Sequence, residues 1–243
     1  MSNYAKLAGD LISSLELALS PIAVAFTNVA PADVPSYDGV VPAGCVFWQH
    51  AATRIFITSA KDHALCSIGV HTHHMNQPAL SHLAQLAETL KAMCDLDYVR
   101  PEEVAAIPVI KHEVKHVVYG PLAQFPLFPE VVLLFAHARQ GLILSEAVAR
   151  VDKGMPPAMG RPACAVVPQV LNHGNAALSL GCCGARAYLD VLTDDMAMWA
   201  LPGGKLEQYY AEIAVLARAN KTLTTFHSRR REDIEAGKRP TIR

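Results

Sequence analysis

The sequence predicts an α/β or α+β fold, a mixed sheet with flanking helices assembled from two pseudo-symmetric halves. Two observations carry this. Strand-length apolar runs alternate with segments of helical periodicity, and the order of those segments occurs twice along the 243 residues. Composition adds a third: hydrophobic residues make up 51% and charged residues 18%, the reverse of the disordered pattern. A chain of this length buries about 70–75% of its unfolded surface.

The first element is an amphipathic helix over residues 4–19, with Leu7, Leu11, Leu15 and Leu19 at i+4 spacing and Asp10 and Glu16 off that stripe. Pro21 ends it, and Ile22–Phe26 reads as a buried strand. Pro31, Pro35, Gly39, Pro42 and Gly44 make a loop that delivers Cys45. Ile55–Thr58 is a further strand, followed by Cys66 with Gly69 close behind. Leu80, Leu83, Leu86, Ala87, Leu90 and Met93 then mark a helix within residues 77–93.

The second half repeats the order. Pro129 introduces the apolar run Val131–Phe135, as Pro21 introduces Ile22–Phe26, and residues 140–150 look helical. A loop with Gly154, Pro156, Pro157, Gly160 and Pro162 delivers Cys164. Residues 176–180 lead to Cys182-Cys183-Gly184, and Leu206, Tyr209, Ile213 and Leu216 trace a last helix. Cys45 and Cys66 stand 21 positions apart, Cys164 and Cys182 18. We read a diverged duplication of roughly 110–120 residues: a first half-repeat over 1–110, a second over 111–225, and a charged, solvated tail over 226–243.

Function classes narrow quickly. Lys and Arg total 21 against 22 Asp and Glu, so no cationic excess drives counterion release from nucleic acid. No run of about 18 apolar residues occurs, and Asp10 and Glu16 interrupt the first apolar stretch, so neither a membrane span nor a signal peptide is expected. A cytoplasmic location follows as the expectation, where grouped thiols more often mean metal or redox chemistry than disulfides. Six cysteines are too few to staple a mini-domain. The G-x-S-x-G, P-loop, H-E-x-x-H and G-x-G-x-x-G motifs are absent. Leu201-Pro202-Gly203-Gly204-Lys205 reads as a turn and helix start.

The chemistry lies with the cysteines. Four converging thiolates suit zinc or an iron–sulfur cluster, and nearby Gly lets backbone N–H groups approach the sulfurs. The paired C-x2-C knuckles of zinc fingers and the ferredoxin runs are both missing. Cys94 reads as a packing thiol. Cys182 and Cys183 are neighbours whose side chains diverge in extended structure, so one of them, not both, belongs to a small site. His63, His71, His73 and His74 surround Cys66, and His71-Thr72-His73 in a strand would put two imidazoles on one face, a rival zinc or iron site. Their plainer reading is a polar loop. Trp48 is either a shield over a buried centre or core, and Arg186 either offsets an anionic group or is structural.

Taken together, Pro21–Val24, Cys45-Val46-Phe47-Trp48, His63–Gly69, Gly160-Arg161-Pro162-Ala163-Cys164 and Gly181-Cys182-Cys183-Gly184-Ala185-Arg186 resemble the prokaryotic "uncharacterised ArCR" family, domain of unknown function family 169, over about residues 5–220. The resemblance implies a cysteine-centred site at Cys45, Cys66, Cys164 and Cys182, with Cys183 the variable neighbour, and it implies no reaction. The expectation is therefore an iron–sulfur protein, a [4Fe-4S] cluster held between the halves, acting in electron transfer or in reduction of a small substrate. Its partner would be a redox protein or that substrate, with homo-oligomerisation open. Two alternatives stand beside it: a zinc or soft-metal sensor without catalysis, and a metal-free enzyme using Cys66 as thiolate beside His63.

Overall fold

A computed structural model of the chain describes residues 4–240. Helix α1 (Tyr4–Leu15) buries the predicted leucine stripe through Leu15. It stops short of residue 19 because Glu16 enters the left-handed region at φ 55° and the Leu17 N–H closes back on the Ile12 carbonyl at 3.2 Å. Strand β1 (Ile22–Thr27) follows, then α2 (Val46–Ala51), β2 (Phe56–Thr58) and α3 (Ser67–Thr72). An excursion carrying α4 (Leu80–Asp95) and α5 (Pro101–Val104) separates α3 from β3 (His116–Pro121). The second half holds β4 (Val131–His137), α6 (Ala138–Val151), the two-residue β5 (Ala158–Met159), α7 (Val166–His173), β6 (Ala177–Ser179) and α8 (Cys183–Tyr188). Last come β7 (Met196–Pro202) and α9 (Leu206–Glu235).

The strands form one seven-stranded mixed sheet in the order β2-β3-β1-β4-β7-β6-β5, antiparallel except for β5 against β6. β1 and β4 lie side by side at its middle. Outward from β1 come β3 and then β2; outward from β4 come β7 and then β6. The registers match: Ile22 faces Pro121 and Phe56 faces Tyr119 on one side, while Val131 faces Pro202 and Ala177 faces Ala200 on the other. β3 and β7 each run into a 3-10 turn, Leu122–Gln124 and Gly203–Lys205. β3, at residues 116–121, lies beyond residue 110 and pairs with β1 and β2.

Central strands are apolar along their whole length because both faces are covered. Alternation sends Ala23, Ala25, Val132, Leu134, Trp199 and Leu201 to one face. There α1, α6 and α9 pack on them, α9 burying the four predicted residues Leu206, Tyr209, Ile213 and Leu216. Ile22, Val24, Tyr119, Leu133, Phe135 and Met198 point the other way, against α2, α3, α7 and α8. The helices of that second layer carry the cysteines. Residues 226–235, read as part of a tail, continue α9 as largely exposed helix. Among the described residues no helix is long and apolar enough to cross a membrane.

Candidate functional site

Each of four cysteines heads a helix on the second face. Cys45 directly precedes α2, Cys66 precedes α3, and Cys182 precedes α8. Cys164 lies in the 3-10 turn Ala163–Ala165 that runs into α7. The first N–H groups of a helix lack an intrahelical acceptor, so a side chain at its head finds free donors. Ala185 N–H donates to Cys182 Sγ at 3.3 Å, and Thr72 Oγ1 donates to Cys164 Sγ at 3.4 Å. The Gly44 and Gly69 N–H groups favour the Cys66 thiolate, and those of Cys45 and Val46 favour the Cys45 thiolate.

The four thiols line one cavity of about 310 Å³ together with Trp48, His63 and His73. Burial pushes the Cys45 thiol up to about 12, helped by negative charge on Cys66 and Cys182. Burial likewise raises Cys66 and Cys164, and thiolates at the other positions add to it. Cys45, Cys66 and Cys164 therefore favour the protonated thiol unless a cation offsets the charge their thiolates would concentrate.

Two glycines permit this crowding. A Cβ on Gly44 would stand 2.8 Å from His63 Nδ1 and 3.4 Å from Cys66 Sγ. On Gly69 it would meet Cys66 Sγ at 3.0 Å and His63 Nδ1 at 3.2 Å. Loop and helix thus close on Cys66 from two sides, the close backbone approach expected near such a thiol.

Several buried polar atoms around the thiols lack a hydrogen-bond partner among the described residues: His63 Nδ1, both ring nitrogens of His73, Trp48 Nε1 and Tyr119 Oη. Burial raises the Tyr119 hydroxyl, with the Cys66, Cys164 and Cys45 thiolates adding to it, so this phenol stands in the same electrostatic neighbourhood. An orphaned buried donor costs about 1–3 kcal/mol. Trp N–H and Tyr O–H are donors that an anionic, acceptor-bearing group would satisfy, and four sulfurs with N–H or O–H donors suit a cluster. Among the described residues no group of three or more His, Cys, Asp or Glu side chains is placed to hold a metal ion.

The remaining sequence candidates divide. His71-Thr72-His73 is the end of α3 and its cap, not a strand, so the imidazoles do not share a face. His73 is buried at the thiol cavity, whereas His71 and His74 line a separate cavity of about 220 Å³ with His82. His74 has φ 49°, and its Nδ1 lies 2.8 Å from the Ile110 carbonyl. Cys183 is exposed and does not line the thiol cavity, lining instead the neighbouring cavity with Cys182, and Cys94 is half-buried on α4. Trp48 packs in the core, as one of its two readings expects, and also lines the cavity. Arg186 is structural: its guanidinium donates to the carbonyls of Leu180, Thr193 and Met196 and stands 3.7 Å from Asp194. Thr72 and Tyr119 went unread in the sequence because a lone Thr in a helix and a Tyr in a short run ending Gly-Pro carry no motif.

The family model described as "Uncharacterised ArCR" matches residues 10–212. No curated protein and no solved structure matches the chain.

Proposed function

The chain belongs to the uncharacterised ArCR family, and from that premise and its thiol cavity we propose an iron–sulfur protein that holds a [4Fe-4S] cluster on Cys45, Cys66, Cys164 and Cys182. One observation carries the reading. Four cysteines drawn from two stretches of chain line a single cavity, each with a hydrogen-bond donor at its sulfur. When bound, such a cluster supplies one-electron chemistry at a potential set by burial and by hydrogen bonds to sulfur. The chain's own part is to keep that centre from water with Trp48 and Phe47, both within 1% of full burial, and to direct amide donors at the thiolates. The role that follows is electron transfer or reduction of a small substrate. The matched registers about β1 and β4, each side bearing two helix-heading cysteines, support descent of the halves from one duplicated unit.

Anaerobic reconstitution with iron and sulfide tests this. The expected result is visible colour with iron and acid-labile sulfide in equal amounts, near the four of each that the cluster holds. Serine at position 45, 66, 164 or 182 removes most of both, while Cys94→Ser and Cys183→Ser keep them. Colourless chain without iron, or stoichiometric zinc without sulfide, would overturn the proposal. The metal-free thiol enzyme is the weaker reading. Burial drives the His63 imidazole well down and the Cys66 thiol up, which opposes the thiolate–imidazolium pair such an enzyme needs.

A further inference from the structure

A second cavity, of about 370 Å³, adjoins the thiol cavity, and Ile68, Thr89, Met93, Pro162, Cys182 and Gly184 line both. It lies within the size range of small-molecule sites. Its distinctive walls come from the excursion between α3 and β3: Leu90 and Met93 on α4, then Val99 and Ile107 flanking α5. The other half has no counterpart, since only residues 189–195 separate α8 from β7. The Gln85 side chain anchors the excursion by accepting from the Ser67 N–H at 3.2 Å. The excursion closes one side of the thiol cavity with Gln85, Thr89 and Met93, and its further residues Leu90, Val99 and Ile107 wall this second pocket.

The pocket is apolar apart from its rim. Arg161 stands there with its guanidinium 4.5 Å above the Tyr98 ring and donating to the Tyr98 carbonyl. Among the described residues no carboxylate lies within ion-pair distance of it. Glu103, also on the rim, is exposed and accepts from the Arg100 N–H at 2.8 Å. An unpaired guanidinium is a planar carboxylate receptor, and methionine sulfur and the Tyr98 ring favour flat aromatic surface.

The geometry points to a binding site for an aromatic monocarboxylate, its ring between α4 and α3 and its carboxylate on Arg161. Binding stands on this pocket alone. That the ligand is the small substrate of a redox reaction rests on the cluster reading, because the shared wall at Cys182–Gly184 puts the two cavities side by side.

Calorimetric titration of the full chain, before and after reconstitution, tests it with 2-naphthoate and its methyl ester as probes. The acid binds saturably, one per chain, and the uncharged ester binds about tenfold more weakly or worse, the difference expected of one charge-assisted bidentate contact. Arg161→Gln erases that preference, leaving the ester's affinity unchanged. Met93→Trp, which fills the pocket, abolishes binding of both. Absence of saturable binding, or an ester bound as tightly as the acid, would overturn the assignment. If Met93→Trp does not fold, the Arg161→Gln comparison still decides, since Arg161 is exposed. Iron analysis of the same samples separates the two proposals. Naphthoate bound by chain that retains no iron sinks the cluster alone, and iron retained without naphthoate binding sinks the pocket alone.

Discussion

His73 packs its ring edge-on to Phe26 at 5.6 Å between centroids and to His63 at 6.1 Å. Enclosed there, it has its pKa pushed by burial from 6.5 down to about 4. The folded chain therefore keeps this imidazole neutral where the unfolded chain has begun to protonate it. Its stabilising effect is complete above about pH 6.5 and is lost as pH falls towards 4, by up to about 3 kcal/mol. His63 acts in the same direction. Urea unfolding of cluster-free chain should show stability dropping between pH 7 and pH 4.5, and His73→Phe should shrink that drop. An unchanged drop in the variant would show that His73 does not titrate as its burial requires. Nothing in His71-Thr72-His73-His74 distinguishes the buried histidine from its neighbours. The distinction arises because α3 ends at Thr72 and turns His73 inward.

Among elements, the join of α6, β6 and α9 depends on Asp152. It caps the end of α6, is buried, and accepts from Ala176 N–H at 2.9 Å, Lys205 Nζ at 2.9 Å and Tyr209 Oη at 2.8 Å. Lys205 also donates to Asn175 Oδ1 at 2.8 Å. Asp152→Ala would leave two buried donors, the Ala176 N–H and the Tyr209 hydroxyl, without their acceptor, at about 1–3 kcal/mol each, and would take one partner from the partly exposed Lys205 ammonium. The urea midpoint should fall accordingly, and Asp152→Asn should recover part of it. Because these helices cover the face opposite the thiols, the variant should still take up iron at low temperature. Asp152 carries no local signature: its partners lie 24, 53 and 57 residues away. By contrast, α1, α6 and α9 were legible, because a stripe of apolar residues reports its own buried face.

At the scale of the whole molecule, the thiol cavity joins stretches of chain on either side of the central β1–β4 pair. Cys45 and Cys66 come from one side, Cys164 and Cys182 from the other. A group bound only by the folded arrangement adds its binding free energy to folding. Reconstituted chain should therefore melt higher than stripped chain by several degrees or more, at about 2–4 °C per kcal/mol for a protein of this size. Cys164→Ser should bring its melting temperature back to that of the stripped protein. Equal melting temperatures with and without iron would mean that the cysteines do not tie the halves together.

What reads from local pattern alone is the buried central runs of β1 and β4, the amphipathic helices, and the Gly- and Pro-rich loops that lead to Cys45 and Cys164. β3 and β7 escaped it, since His116–Pro121 and Met196–Pro202 are strands by virtue of their neighbours and neither alternates cleanly. Which thiols share a cavity is a matter of the fold and not of local pattern. Strand pairing across the sheet brings Cys164 to Cys66, and the start of α8 turns Cys182 inward and leaves Cys183 in solvent. The pocket beside them belongs to that level too, because the excursion and the segments from Arg161 onward that wall it lie more than 50 residues apart and no local periodicity connects them.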